Sequence, residues 1–398
     1  MSASPGRRAA FEVVRRTLAE GAYTDRALHA ETRGLDARDR AFAKRLAFGT
    51  VQRRGTFDWI VAQHTTRKRL DPEVRAALHL GLEQLLFLDG VADHAAISES
   101  VELAKPNSGF KMVNAILRNV QRQGAELPGD EDPEGAAVRH SHPEWLVRRW
   151  WDWLGADATR ALLAANNEPA ELALRINTLV DAGDGLESIA GERVGETTIV
   201  VDGAFDAFGH PAWEAGAFMP QSRASQRVAA FLDPQPGERV LDLCAAPGGK
   251  TTHIAALMQG EGEVVAVERH AGRAAALERT CARMHATSVR VVTGDAVEFL
   301  DPAGFDRVLL DPPCSGLGTL QSHPDLRWRV REHELSSLAA IQDALLLAAR
   351  ANLRAGGSIV FSVCTLNPGE ERVTSTDAWR MFPSTDGTDG FYCSRDGG

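Results

Sequence analysis

Two cysteines carry the chemistry that this sequence can do. Cys314 lies in the block DPPCSG (311–316) and Cys364 in FSVCT (361–365), each at the end of a short apolar run. A buried cysteine is ordinarily a small apolar residue, and that reading suffices for Cys244, Cys281 and Cys393. Cys314 and Cys364 differ because both stand at the carboxyl ends of expected strands. Neighbouring strands run roughly 5 Å apart, so adjacent strands would turn both sulfurs into one crevice, an arrangement suited to covalent catalysis. Carbon 5 of cytosine is too weak a nucleophile to attack a methyl sulfonium unaided. A thiolate adding at carbon 6 makes an enamine whose carbon 5 can attack, an acid near ring nitrogen 3 stabilises the developing charge, and a base then removes the carbon-5 proton so that the thiol leaves. Asp311, on the same strand end as Cys314, is placed to contact nitrogen 3. Enzymes that methylate an exocyclic amine commonly carry an aromatic residue where this chain has Cys314.

A second set of residues fits a nucleoside cofactor. Strand-like RVLDLC (239–244) runs into the small-residue turn Cys244, Ala245, Ala246, Pro247, Gly248, Gly249, Lys250, followed by a helix. Small residues let backbone approach a ligand closely, and a helix N-terminus presents free N–H groups. Neither the phosphate-loop pattern nor G-x-G-x-x-G is present. Glu268 ends EVVAVE, 19 residues past Gly249, where a carboxylate accepts ribose hydroxyls. Asp295 ends VRVVTGD and suits an adenine amino group. Each acid alone would be a solvated loop carboxylate; three in order, each after a strand, form a site.

The elements that must position these groups are strands alternating with helices from residue 236 onward: 239–244, 263–268, 289–295, 307–313 and 358–364, with a long helix over about 332–352 before the last. That alternation predicts a parallel, doubly wound α/β sheet with its ligands beyond the strand carboxyl ends. Upstream, residues 7–123 read as successive helices by apolar spacing, with a helix start at Asp71–Pro72 and basic clusters at Arg53–Arg54 and Arg67–Lys68–Arg69. Residues 126–137, rich in Gly, Pro and acids, read as a linker. Residues 138–225 read as a small α+β module whose tryptophans (Trp145, Trp150, Trp151, Trp153) serve packing. The expected domains are therefore 1–125, 138–225 and 226–398.

Composition sets bounds. The chain has 398 residues, 25% charged and 44% hydrophobic, enough for several domains. No apolar run approaches the roughly 18 residues of a membrane helix, and the N-terminus does not read as a signal peptide. Five cysteines without a C-x-x-C pair argue against a disulfide framework or a metal cluster and for a reducing cytoplasm. The net charge of −10 hides an asymmetry. Residues 1–125 hold 20 Lys and Arg against 14 Asp and Glu, net +6, leaving 24 against 40 in the remainder. A polyanionic partner thus suits the N-terminal part.

The blocks VLDLCAAPGGKT, AVERH, GDA, DPPCSGLGT and FSVCTLNPGEE resemble, in order, the signatures of the S-adenosylmethionine-dependent RNA 5-methylcytosine methyltransferases. The likeness is to the bacterial 16S ribosomal RNA branch, the Sun/Fmu (RsmB-like) family, and covers nearly the whole chain. Residues 7–123 resemble that branch's all-α NusB-type RNA-binding domain, 138–225 its α+β RNA-recognition module, and the rest a Rossmann-like methyltransferase domain. The resemblance implies that Cys244–Lys250 lie at the methionine and ribose of the cofactor, Glu268 at the ribose, Asp295 at the adenine, and Asp311 between methyl donor and base. It also orders the thiols, which the residues alone leave open: Cys364 attacks and Cys314 assists product release. The implied partner is 16S ribosomal RNA, with no membrane and no metal.

Three departures stand out. Val363 occupies a position where the family commonly has Thr or Ser, Gln221–Ser222 replaces the usual Gln-Asp, and the stretch between Glu371 and DGTDGF is short, so that the sheet's far edge is expected to be incomplete. A non-catalytic RNA-binding or antitermination-like factor with a silent methyltransferase fold is the alternative reading, against which the glycine loop, the three acids and both thiols argue. A nicotinamide-dependent dehydrogenase would leave the paired thiols without a purpose.

Overall fold

The computed structural model describes all residues except 1, 2, 68, 106, 182, 204, 374 and 398 and the side chain of 184. Lys68, from the second basic cluster, lies outside the described residues. The chain divides into two units, one made of residues 1–169 with 320–332 and the other of 170–319 with 333–398.

The first unit is helical, as the apolar spacing predicts. Its helices span Pro5–Ala19, Thr24–Glu31, Ala37–Gln52, Arg54–His64, Pro72–Leu86, Asp93–Ala104 and Phe110–Gln123. In the last of these, Val113, Ile116, Leu117 and Val120 are the buried positions, one stripe at i, i+3, i+4 and i+7. They join Leu46, Phe57, Leu78 and Leu82 in a single core. The helix start at Pro72 is as read from sequence, with the proline in the first turn, where its missing N–H costs nothing. The cluster Arg53–Arg54 is not a free phosphate-binding face. Arg53 pairs with the buried Glu83 at 3.0 Å, and the Arg54 guanidinium lies over the Trp328 ring. Arg67 and Arg69 are exposed.

The stretch 126–137 is not wholly a linker. Pro133–Arg139 is a helix whose first turn is capped by Asp132, which accepts the Gly135 N–H at 2.8 Å. Proline at the first position and aspartate at the cap are local signals that outweigh the absence of periodicity over seven residues. The helices Glu144–Leu154 and Ala156–Ala165, expected in the α+β module, belong to the first unit. Trp150 is completely buried there, consistent with packing. The segment 320–332 also belongs to this unit, although the chain on either side of it belongs to the other. Its Arg327 is fully buried and donates to the carbonyls of Ser141 (3.1 Å) and Asn166 (2.9 Å) and to Asn167 Oδ1 (2.8 Å). Burial, and then the charge of Arg53, pulls its guanidinium down to about 9.

The second unit holds two sheets. Strands β1 (Ala173–Ile176), β2 (Gly191–Val194), β3 (Thr198–Val201) and β4 (Phe218–Pro220) form an antiparallel sheet in the order β2-β3-β1-β4. The larger sheet comprises β5 (Arg239–Asp242), β6 (Glu263–Glu268), β7 (Val289–Thr293), β8 (Phe305–Leu310), β9 (Leu353–Val363), β10 (Ala378–Met381) and β11 (Phe391–Gly397), in the order β10-β11-β9-β8-β5-β6-β7. All five expected strands are present, and β5 through β9 run parallel. The sheet is mixed rather than purely parallel, because β11 adds antiparallel to β9 and β10 adds antiparallel to β11.

Those two strands correct the expectation of an incomplete edge. Cys393 of β11 faces Ser362, and Trp379 of β10 faces Cys393, so the shortened C-terminal stretch still closes that side. Phe391, Tyr392 and Cys393 are all buried there. The helices of this unit that matter below are Arg223–Leu232, Gly249–Leu257, Ala271–Arg283 and Leu335–Ala351.

Candidate active site

Five strand ends bring the candidate residues to one edge of the large sheet. β5 runs into the turn Cys244–Gly248, and the helix Gly249–Leu257 follows. Gly248 has φ of +105°, and a Cβ there would lie 2.7 Å from Leu277 Cδ1. Glycine is therefore favoured on backbone grounds, and a side chain there would also have to displace the Leu277 methyl. Asp242, buried at the end of β5, accepts the Thr251 hydroxyl at 2.7 Å and anchors the helix to the strand. Burial, and then the charge of Asp311, raises its carboxyl to about 6 despite the Thr251 hydrogen bond.

The turn is also held from outside. Arg273 donates to the Ala246 carbonyl at 2.9 Å and pairs with Glu268 at 3.3 Å. Glu268 closes β6, is 4% exposed, and accepts the His270 N–H at 2.8 Å. Asp295 follows β7 and accepts the Val297 N–H at 3.0 Å, with Arg269 at 3.5 Å. From β1, the buried Arg175 donates to Gln221 Oε1 (2.8 Å) and Thr252 Oγ1 (2.9 Å), fastening the small sheet to the glycine-turn helix. Gln221 thus has a defined partner. Ser222, in place of the usual aspartate, still caps the helix Arg223–Leu232 by accepting the Ser225 N–H, a role that serine and aspartate fill about equally.

β8 and β9 are neighbours, with Leu310 opposite Phe361. The next pair outward is Asp311 and Ser362, and the Ser362 hydroxyl donates to Asp311 Oδ1 at 2.8 Å. On its other oxygen Asp311 receives Lys250 Nζ at 2.7 Å. Further out, the sulfurs of Cys314 and Cys364 stand 3.4 Å apart, both partly exposed. The backbone beyond them is stitched together: Gly318 N–H donates to the Cys364 carbonyl at 3.1 Å, and Gly390 N–H to the Gly318 carbonyl at 2.7 Å.

Electrostatics act on one of the two thiols in particular. Its hydrogen bond with Cys364, then burial, then the charges of Cys364, Glu370 and Asp311 hold Cys314 well above the usual thiol range. Burial alone would lower Lys250, but the charge and hydrogen bond of Asp311, then the charges of Cys364 and Asp242, raise it. Lys250 is therefore a cation beside Cys364. Cys244 is pushed up by burial and by Asp242. Cys281, raised to about 12 by burial, and Cys393, likewise raised by burial, lie in the core.

The structure thus gathers Asp311, Cys314, Cys364 and Lys250 at one point, with the glycine turn and Glu268 along the same edge of the sheet. Sequence reasoning missed three contributors. Ser362 supplies the hydroxyl to Asp311, whereas Val363 is wholly buried and turns away. Gln342, on the helix Leu335–Ala351, donates to the Pro313 carbonyl at 3.0 Å. Glu370 is completely buried between the two thiol-bearing turns. Its one sequence signal is a place in the NPGEE block shortly after Cys364.

Comparison with known proteins identifies the family. Residues 229–379 match the family model of the 16S rRNA methyltransferase RsmB/F, residues 4–122 match the NusB family, and residues 142–185 match the ferredoxin-like domain of the RsmF/B-like methyltransferases. A Synechocystis protein named "Probable ribosomal RNA small subunit methyltransferase B" is 37% identical over 95% of this chain and 91% of its own. The Pseudomonas putida "Ribosomal RNA small subunit methyltransferase B" is 33% identical over 92% of this chain and 86% of its own. The crystal structure of PH0851 superposes with a TM-score of 0.80 at 25% identity, covering 99% of each chain. A NusB-like helical domain, a ferredoxin-like domain and a methyltransferase domain on a mixed seven-stranded sheet, together with these relatives, make the chain a member of the RsmB family of ribosomal RNA small subunit methyltransferases.

Proposed function

We propose that this methyltransferase uses S-adenosylmethionine to methylate carbon 5 of a cytidine in 16S ribosomal RNA, through a transient bond between Cys364 and the base. The observation that carries this reading is the 3.4 Å approach of the Cys314 and Cys364 sulfurs beside the Lys250–Asp311 ion pair. Residues that would hold the cofactor fit it. The turn at Gly248 disfavours a side chain, Glu268 sits buried at a strand end, and a Cβ added at Gly294, beside Asp295, would meet nothing within 4 Å. Cys244–Lys250 would take the methionine and ribose region, Glu268 the ribose hydroxyls and Asp295 the adenine. Bound S-adenosylmethionine supplies a methyl group on an electrophilic sulfonium.

The chain's own residues do the rest. Cys364, beside the Lys250 cation, adds as thiolate to carbon 6, and the electrons of the 5,6 double bond make carbon 5 nucleophilic. Asp311, fixed by Lys250 and Ser362, contacts ring nitrogen 3. After methylation the carbon-5 proton leaves, the bond between sulfur and carbon 6 breaks, and the double bond returns. Once Cys364 is bonded to the ring, Cys314 can release its own proton to solvent and, as thiolate, take the carbon-5 proton. The largest cause of its raised pKa is the hydrogen bond with Cys364, and once Cys364 is bonded to the ring both that bond and the thiolate charge are gone. To reach the two thiols the base must leave its stack. The first unit would contact RNA phosphates through exposed residues such as Arg67 and Arg69, with affinity that falls as salt rises.

Bisulfite sequencing of ribosomal RNA from cells with and without the gene tests this reading. One protected cytidine in 16S RNA should become unprotected when the gene is absent; an unchanged pattern contradicts it.

A further inference from the structure

The reaction needs two turns from different strands to hold their sulfurs at one distance, and one buried side chain joins them. Glu370 is completely buried, and among the described residues it pairs with no cation. Its carboxylate is instead filled by donors from both turns. Oε2 accepts the Ser315 N–H at 2.8 Å and Gln342 Nε2 at 3.1 Å. Oε1 accepts Asn367 Nδ2 at 2.8 Å and the Ser315 hydroxyl. The Thr365 hydroxyl, 2.6 Å from Ser315 Oγ, completes the chain of hydrogen bonds. Ser315 follows Cys314 and Thr365 follows Cys364, so this one carboxylate reaches the residue adjacent to each thiol. Gln342, which also donates to the Pro313 carbonyl, ties the helix behind to the same point.

A lone buried carboxylate is costly unless donors surround it. Its retention here, where a neutral group could have filled the space, calls for an account. We propose that Glu370 is a positioning residue for methyl transfer, clamping the Cys314–Ser315 turn onto the Cys364–Thr365 turn so that the two sulfurs keep their contact. Its charge adds a second effect, since it is one of those that keep Cys314 a neutral thiol while Cys364 is the nucleophile. Glutamine has the same shape, but with its carbonyl kept on the Ser315 N–H its NH2 falls at the Oε1 position, where it faces the Asn367 NH2 and reverses the Ser315 hydroxyl bond. The proposal rests on the two-thiol reading above, and its test is chosen to be separable from that reading.

The test uses the full-length protein, without RNA or cofactor, equilibrated in glutathione and glutathione disulfide. Oxidation breaks the glutathione S–S bond, forms a Cys314–Cys364 bond, and releases two glutathione thiols that carry the two protons. The equilibrium constant, read by mass spectrometry of the linked peptides, measures how firmly the turns hold the sulfurs together. In Glu370→Ala this constant should fall at least tenfold. In Glu370→Gln, which keeps the volume, it should fall severalfold, and kcat should drop more than tenfold while cofactor affinity and KM for RNA stay within about twofold. A constant within twofold of wild type in both variants overturns the proposal, as does unchanged kcat in Glu370→Gln. If Glu370→Ala does not fold, Glu370→Gln decides alone. Product formation by Cys364→Ala would instead overturn the two-thiol reading, leaving the disulfide equilibrium as an independent measure of the clamp.

Discussion

Lys250 Nζ lies 2.7 Å from Asp311 Oδ2, joining the first turn of the glycine-turn helix to the end of β8. One ion pair therefore links the segment that would hold the methyl donor to the strand that carries the first thiol block. Because Lys250 is raised by Asp311 and Cys364 together, against the effect of burial, it remains a cation throughout the neutral range. A positive charge fixed in advance, where the proposed mechanism forms a thiolate and a ring anion, would cost no reorganisation during the reaction.

Replacing that cation by an isostere should therefore act on the chemical step. Lys250→Met is expected to lower kcat by about 10²–10³-fold with a much smaller change in KM for RNA. Single-turnover methylation with radiolabelled cofactor measures it. A loss confined to KM would show that Lys250 serves binding alone.

Gly248 makes a second, purely steric prediction. Any side chain at φ +105° is strained by about 1–3 kcal/mol, and here it also meets Leu277 Cδ1 at 2.7 Å. Gly248→Ala should weaken cofactor binding by about tenfold or more, measured by calorimetry. Unchanged affinity would mean that the turn does not approach the ligand.

Asp242 gives a pH signature. Its folded-state value of about 6 lies above the ordinary 3.8, raised chiefly by burial. The stability it contributes is present in full below pH 3.8 and is lost as pH rises through about 6. Over that window the wild-type chain should lose on the order of 3 kcal/mol relative to Asp242→Asn, with no further change above it. Denaturant unfolding at a series of pH values checks this, and parallel stability curves for the two proteins would contradict it.

Arg327 predicts a local effect in the helical unit. Arg327→Met leaves the Ser141 and Asn166 carbonyls and Asn167 Oδ1 without this donor. A destabilisation of about 3 kcal/mol is expected, together with faster hydrogen exchange at the end of the helix Ala156–Ala165, whose C-cap is Asn166. Exchange rates equal to wild type would show that water replaces the guanidinium without cost.

The strand ends were legible because each polar residue ends an apolar run. Asp311, Cys314 and Cys364 could be read as neighbours once the strand–helix alternation implied a parallel sheet, and β8 and β9 do pair. Glu370 and Ser362 were not legible in this way. Their roles depend on which donors surround them, and those donors come from Ser315, Gln342 and Asn367 in one case and Asp311 in the other. The chain's return to the helical unit at 320–332 was hidden for a similar reason, since Arg327 reads as a surface arginine until its carbonyl partners are seen. The far edge was misjudged because the count of residues after Glu371 suggested too little chain, whereas four residues in β10 and seven in β11 complete it.

The most direct test follows the RNA through a denaturing gel after reaction of Cys364→Ala and Cys314→Ala with cofactor and 16S RNA. Cys364→Ala should give neither methylated product nor adduct, and Cys314→Ala should accumulate a protein–RNA adduct that survives denaturation. Methylated RNA from Cys364→Ala, or adduct from that variant and none from Cys314→Ala, would contradict the assignment of Cys364 as the nucleophile.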